Sequence, residues 1–284
     1  MLFSFALWSV LAPAAIQAVA SERPEHCGAG SPSQEFLSLS RAFRSQEANA
    51  TAGGFSAAAA AQSTQINTYI HIMASDRTAR GGYVSQSTID EQMRILNSNY
   101  ANTGFSFVLR DVDYTVDPNK SYLRSLDDEY YIKRDLRKGS YSDLNLYYFV
   151  NTFRGNTGWC YYPTNAPQGS ESFIRDGCVI HQGSLPGGSY APWNEGKITS
   201  HEVGHWMGLM HTFENGCYGN GDEVDDTPFQ STPTSGCPIG RDSCTQPGVD
   251  PIHNFMDYSD NACQTEFTNG QAARMRSWWD YYRG

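Results

Sequence analysis

The stretch His201-Glu202-Val203-Gly204-His205-Trp206-Met207-Gly208-Leu209-Met210-His211 constrains the architecture of this chain more than any other. Residues four apart share one face of a helix, so His201 and His205 present their imidazoles to one point. A third histidine one turn further along a straight helix would face away. Gly208 can take the positive φ that other residues avoid, end the helix, and turn the chain so that His211 returns. Gly204 and Gly208 are poor choices for an ordinary helix interior, which argues against a solvated helix that merely carries histidines. Three neutral nitrogens meeting at one point are the ligand set of a catalytic zinc ion with a fourth position left for water. Zinc lowers the pKa of such a water and polarises a carbonyl. Glu202 projects beside the fourth position, where it can take the water's proton and hand it to a leaving amine. His201, His205 and His211 are therefore the expected zinc ligands and Glu202 the expected general base. His26, His71, His181 and His253 have no ligand partner at useful spacing and read as surface or core histidines.

Around this motif the hydrophobic pattern alternates between strand and helix periods. Residues 67–73 alternate and are β-branched, which predicts a strand. Thr88 with Glu91 reads as a capping box, and Ile89, Met93, Leu96 and Tyr100 follow at helical spacing. Phe105, Phe107 and Leu109 predict a second strand. Residues 144–150, more uniformly apolar, predict a central third strand, and residues 177–181 a short edge strand. The motif helix should span 197–208. Residues 212–263 are rich in Gly, Pro, Asp and Cys and read as irregular structure held by disulfides. Thr268 with Gln271 is a second capping box, opening a C-terminal helix with Ala272, Met275, Trp279 and Tyr282. The expected class is α+β, with a mixed sheet and helices in one half, an irregular half ending in a helix, and a cleft between.

The first residues suggest export. An apolar run from Leu2 to Ile16 ends in Ala18 and Ala20, the small residues of a cleavage site, so residues 1–20 read as a signal peptide. Pro13 breaks the run, which is too short for a membrane span. Residues 21–64 are polar, with few that could seed a core, and read as a propeptide and linker before a catalytic domain at 65–284. A net charge of −10, with no dense Lys/Arg cluster, argues against nucleic acid as a partner. No membrane partner is expected, the chain should act as a monomer, and Asn49-Ala50-Thr51 and Asn119-Lys120-Ser121 are candidate glycan acceptors. A secreted chain with 7 cysteines should form disulfides and leave one thiol over. Six follow residue 159, whereas Cys27 stands alone before the domain. A thiolate is a strong zinc ligand, so Cys27 is a candidate ligand of the zinc in a latent form, with an unpaired or intermolecularly bonded thiol as the alternative.

These residues also carry a family resemblance. The zinc motif is the metzincin signature, and Asn254-Phe255-Met256-Asp257-Tyr258 resembles the methionine turn of those enzymes. His211-Thr212-Phe213, Gly216-Cys217, Gly221-Asp222, Asp226-Thr227-Pro228 and Met256-Asp257-Tyr258 are similar to the pappalysin branch, and within it to fungal secreted metalloproteases. The resemblance covers about residues 65–284. It implies a two-lobed domain with the zinc in a horizontal cleft, and Met256 as the hydrophobic base under the zinc. It offers Tyr258 as a phenol reaching the metal or the oxyanion, beside the plainer reading of a packed tyrosine. It favours the pairs Cys217–Cys244 and Cys237–Cys263, leaving Cys160 and Cys178 as a third. Cys27-Gly28 resembles the propeptide device that keeps such zymogens inactive.

Asp222, Glu223, Asp225, Asp226 and Thr227 gather several oxygens in a short span, and some pappalysins bind calcium near this loop. A calcium site using Asp222, Asp225, Asp226 and Thr227 and a solvated acidic turn ended by Pro228 both fit the residues. Two leading function classes follow, beside a third, a disulfide-rich adhesion domain with incidental metal binding, against which the intact Gly208 and His211 argue. One is a secreted zinc endopeptidase acting on polypeptides. The other is an inactive zinc-binding module that recognises a protein, against which the retained Glu202 argues.

Overall fold

The computed structural model describes residues 27–52 and 63–284. The signal-peptide reading of residues 1–20 lies outside them, as do residues 21–26 and 53–62 of the expected propeptide and the side chains of the 49–51 sequon. Six helices are used below: α1 (Gln34–Ala52), α2 (Gln86–Asn99), α3 (Leu126–Leu136), α4 (Glu171–Arg175), α5 (Lys197–Trp206) and α6 (Asn269–Tyr282). The strands are β1 (Thr64–Ala74), β2 (Phe105–Val116), β3 (Leu144–Phe149), β4 (Gly158–Cys160) and β5 (Cys178–His181). They form one sheet in the order β2-β1-β3-β5-β4, parallel except for β4, which runs antiparallel to β5.

Period-two alternation sorts the core into two layers. Ile70, Ile72, Leu146, Tyr148 and Ile180 pack with Ile89, Met93 and Leu96 of α2 and with Val203 and Trp206 of α5. Met73, Tyr147, Phe149, Trp159 and Val179 pack on the other face against Leu123 and Ile132. β3 is buried along its whole length, as a central parallel strand with helices on both faces must be.

Three features differ from the sequence reading. The 177–181 strand is interior, because β4 pairs outside it with Trp159 opposite Val179 and Cys160 opposite Cys178. α2 begins earlier than the Thr88 box implies: Ser85 is the cap, and its hydroxyl accepts from the Thr88 amide at 3.2 Å. The 21–64 segment does seed a core. In α1, Phe36 and Phe43 lie on one helix face and are buried against Met210 and Trp278 of the domain. The box at Thr268 and Gln271 opens α6 as read.

Residues 212–263 contain no helix or strand. Cys217–Cys244 and Cys237–Cys263 staple them, while Cys160–Cys178 joins β4 to β5. Buried Asp257 accepts from the Gln230 side chain and the Thr234 amide at 2.8 and 3.1 Å, replacing the ladder bonds this region lacks. No helix among the described residues is long and apolar enough to cross a membrane.

Candidate active site

α5 runs beside the sheet edge and carries His201, Glu202 and His205, all buried. It stops where Gly208 takes φ +90° and the Leu209 amide bonds back to the Gly204 carbonyl at 2.9 Å. That left-handed residue reverses the chain and brings His211 to the other two histidines. The Nε2 atoms of His201 and His205 are 3.2 Å apart, and those of His205 and His211 are 3.1 Å apart. His201 Nδ1 donates to the Phe255 carbonyl at 2.7 Å and His205 Nδ1 to the Leu209 carbonyl at 2.8 Å.

Carbonyls only accept, so these bonds place the proton on Nδ1 and leave an Nε2 lone pair on each of those two rings. Lone pairs facing each other at such a distance repel unless a cation lies between them. Two nitrogens about 2.0–2.1 Å from one tetrahedral ion would stand about 3.3 Å apart, close to the spacing here. The donor set therefore fits zinc. Burial, with His211 adding to it, holds His205 neutral, the form that ligates.

Met256 lies directly beneath. A Cβ on Gly204 would come within 2.4 Å of its sulfur, so the glycine is what lets the methionine turn approach α5. The same turn supplies the Phe255 carbonyl to His201 and the Met256 carbonyl to the Thr212 amide. Tyr258 follows, its hydroxyl 3.1 Å from His211 Nε2. Burial first, then Cys27 and Glu202, keeps this phenol protonated, far above its usual range.

Glu202 is fully buried, and burial lifts its carboxyl to about 8 against the opposing Cys27 thiol and Cys160 backbone. The Cys27 thiol donates to Glu202 Oε2 at 3.3 Å. Burial and the Glu202 charge push this thiol well up. The ligand atoms of Cys27, His201, His205 and His211 all lie within 4.8 Å of one another. Among the described residues Cys27 is the free cysteine. Its neighbour Gly28 donates from its amide to the Gly158 carbonyl of β4 at 2.7 Å, a parallel bridge that seats the segment on the sheet edge.

The acidic loop is not drawn to one point. Asp222 accepts from the Thr227 hydroxyl at 2.6 Å, and Asp225 faces Arg44 of α1 at 2.5 Å. Asp226 accepts from the Thr268 hydroxyl and the Gly270 amide at 2.6 and 2.8 Å, at the start of α6.

Two site residues escape a reading by spacing. Phe213 stacks on the His211 ring with centroids 4.7 Å apart, and Tyr162 meets His205 edge-on at 5.4 Å. Both lie in irregular segments, where the one available signal is adjacency, to His211 and to β4.

A metal-type cluster on a glycine-broken helix over a methionine turn, beside a mixed sheet, defines a metzincin-type metallopeptidase fold. The family model described as pregnancy-associated plasma protein-A, peptidase M43, matches residues 144–280. An extracellular metalloprotease of Pyricularia oryzae is 48% identical over 96% of this chain and 95% of its own. Extracellular metalloprotease 1 of Coccidioides posadasii is 51% identical over 77% of this chain and 78% of its own. Mature mirolysin of Tannerella forsythia, solved with a cleaved peptide, superposes with a TM-score of 0.62 at 25% identity, covering 76% of this chain and 91% of that one. The chain belongs to the pappalysin family of metalloproteases, peptidase M43.

Proposed function

We propose that this chain is the latent form of a secreted zinc endopeptidase that hydrolyses polypeptides, with Glu202 as general base. The observation that carries the reading is the meeting of three imidazole nitrogens with the Cys27 thiol, which itself lies 3.3 Å from Glu202 Oε2. His201, His205 and His211 would hold a zinc ion, which when bound would acidify a water and polarise the scissile carbonyl. Glu202 is the base that would take a proton from the attacking water and return it to the leaving amine. The protonated Tyr258 hydroxyl is a donor for the developing oxyanion. The edge of β4, already paired with Gly28, offers its backbone to an extended peptide as one more strand. Relatives named as extracellular metalloproteases support secretion, together with the signal-like residues 1–20. Residues 21–64 act as the propeptide, and Cys27 is the zinc ligand of the latent state.

Purified, processed enzyme should lose casein hydrolysis on zinc chelation and regain it on zinc addition. Glu202→Ala should retain zinc while activity falls about 10²–10⁴-fold, because a base and not a ligand is removed. His211→Ala should instead bind zinc weakly. Zinc lost together with activity in Glu202→Ala, or a fully loaded and active His211→Ala, would overturn the assignment.

A further inference from the structure

We propose that α6 and residues 222–226 form a docking surface for this chain's own helix α1, and that α1 stays bound there, holding the enzyme inactive, after the chain is cut between residues 52 and 64. The proposal rests on the reading of residues 21–64 as a propeptide, and adds to the thiol a second, separate anchor.

The contact is built from complementary charge in a fixed register. Arg41, Arg44 and Glu47 follow at intervals of three along one face of α1. Arg41 Nε meets Glu223 Oε1 at 3.2 Å, and Arg44 Nε meets Asp225 Oδ1 at 2.5 Å. Glu47 receives Arg274 Nε at 3.0 Å and Nη2 at 2.9 Å, and its carboxylate also accepts from the Ser277 hydroxyl at 2.8 Å. The helix thus offers plus, plus, minus to a surface that offers minus, minus, plus. Sliding α1 by one turn would set Glu47 against Glu223 and Asp225, so the charges select one seating.

Aromatic packing holds the same seating. Phe36 stacks on Trp278 with centroids 4.3 Å apart and planes at 8°, and Phe43 meets that ring edge-on at 5.0 Å. With α1 in place, Trp278, Arg274 and Glu223 have side-chain or residue exposures of 0, 1 and 3%. Departure of α1 would take Phe36 and Phe43 from the indole, Arg41 from Glu223 and Glu47 from Arg274, leaving two buried charges without these partners.

Two links connect this anchor to the metal centre. Phe36 also packs on Tyr162 with centroids 4.5 Å apart, and Tyr162 in turn lies against His205. Residues 28–33 join α1 to Cys27, so a docked helix keeps the thiol at the site at the high local concentration of a short tether. Cutting the far end of α1 removes neither link.

The test uses the full chain with a site-specific protease sequence placed within residues 53–62. After the cut, the N-terminal fragment should co-elute with the domain on gel filtration, and casein hydrolysis should stay low. Arg41→Glu/Arg44→Glu, and separately Phe36→Ser/Phe43→Ser, should release the fragment on cutting and raise activity at least roughly tenfold, the loss expected when a tethered second contact is removed. Separation of the fragments in the cut wild type overturns the proposal, and so does co-elution undisturbed in both variants. Should no form hydrolyse casein, the peptidase reading fails while co-elution still decides the docking.

Discussion

A Cβ at position 208 would lie 2.1 Å from Cδ1 of Trp278, on a backbone with φ +90°. Gly208→Ala therefore meets both steric overlap and left-handed strain, about 1–3 kcal/mol in sum. The turn it distorts is the one that returns His211, so zinc affinity should fall together with the melting temperature. A variant that melts with wild type and binds zinc fully would show that the turn relaxes freely. Asp222 gives a second test at this scale. Burial raises its carboxyl to about 7, against the Thr227 hydroxyl, the Val224 amide and Arg274, which pull it down. Its folded pKa lies above its unfolded value, so its contribution to stability is full below about pH 4 and is lost as pH rises through about 7. Asp222→Asn keeps an acceptor for Thr227 and cannot ionise. Relative to wild type, its melting temperature should climb between about pH 4.5 and pH 8. A calcium ion ligated by the ionised carboxylate would reverse that sign in calcium-containing buffer, so the same melts with and without calcium decide between the two readings of the loop.

Which elements were legible followed from how each one buries its residues. The motif helix, β1, β3 and α6 announce themselves because an apolar period or a cap is written in consecutive residues. The histidine set was legible for the same reason, since its convergence is encoded in helical spacing and one glycine. α3 was not, because what it buries is charge: Glu129 and Lys133, one turn apart, pair at 2.8 Å with exposures of 0 and 1%. β4 is too short to alternate, and its existence depends on β5, contributed later in the chain. Phe213 and Tyr162 reach the site from irregular segments, whose course depends on side-chain bonds and disulfides that no period records. Those disulfides give the element-scale prediction. Residues 212–263 have no ladder bonds of their own, and each bridge contributes about 2–4 kcal/mol. Reduction should therefore lower the melting temperature more than a calcium-selective chelator does. A larger drop with the chelator would show that an ion, and not the bridges, holds this half together.

At the scale of the whole molecule, the N-terminal segment and the domain share one site. Cys27 comes from a segment that crosses the edge of β4, and its thiol stands within 4.8 Å of the three histidine ligand atoms. Tyr258, the candidate oxyanion donor, also reaches this segment, its hydroxyl 3.4 Å from the Cys27 carbonyl. While the segment is seated, Cys27 contacts both Glu202 and Tyr258, so the proposed base and the proposed oxyanion donor are covered. A serine at position 27 keeps the backbone bridge to Gly158 and the packing of α1, and changes only the atom offered to the metal. An alcohol is a far weaker zinc ligand than a thiolate. Uncleaved Cys27→Ser should therefore hydrolyse a short peptide measurably where uncleaved wild type is silent, while both gain full activity once residues 21–64 are removed. The gain before processing should be larger for a short peptide than for casein, because the segment still lies along the β4 edge that a long substrate must use. If the uncleaved serine variant is as silent as wild type toward both, the thiol contributes nothing to latency, and coverage of the cleft by the segment accounts for all of it.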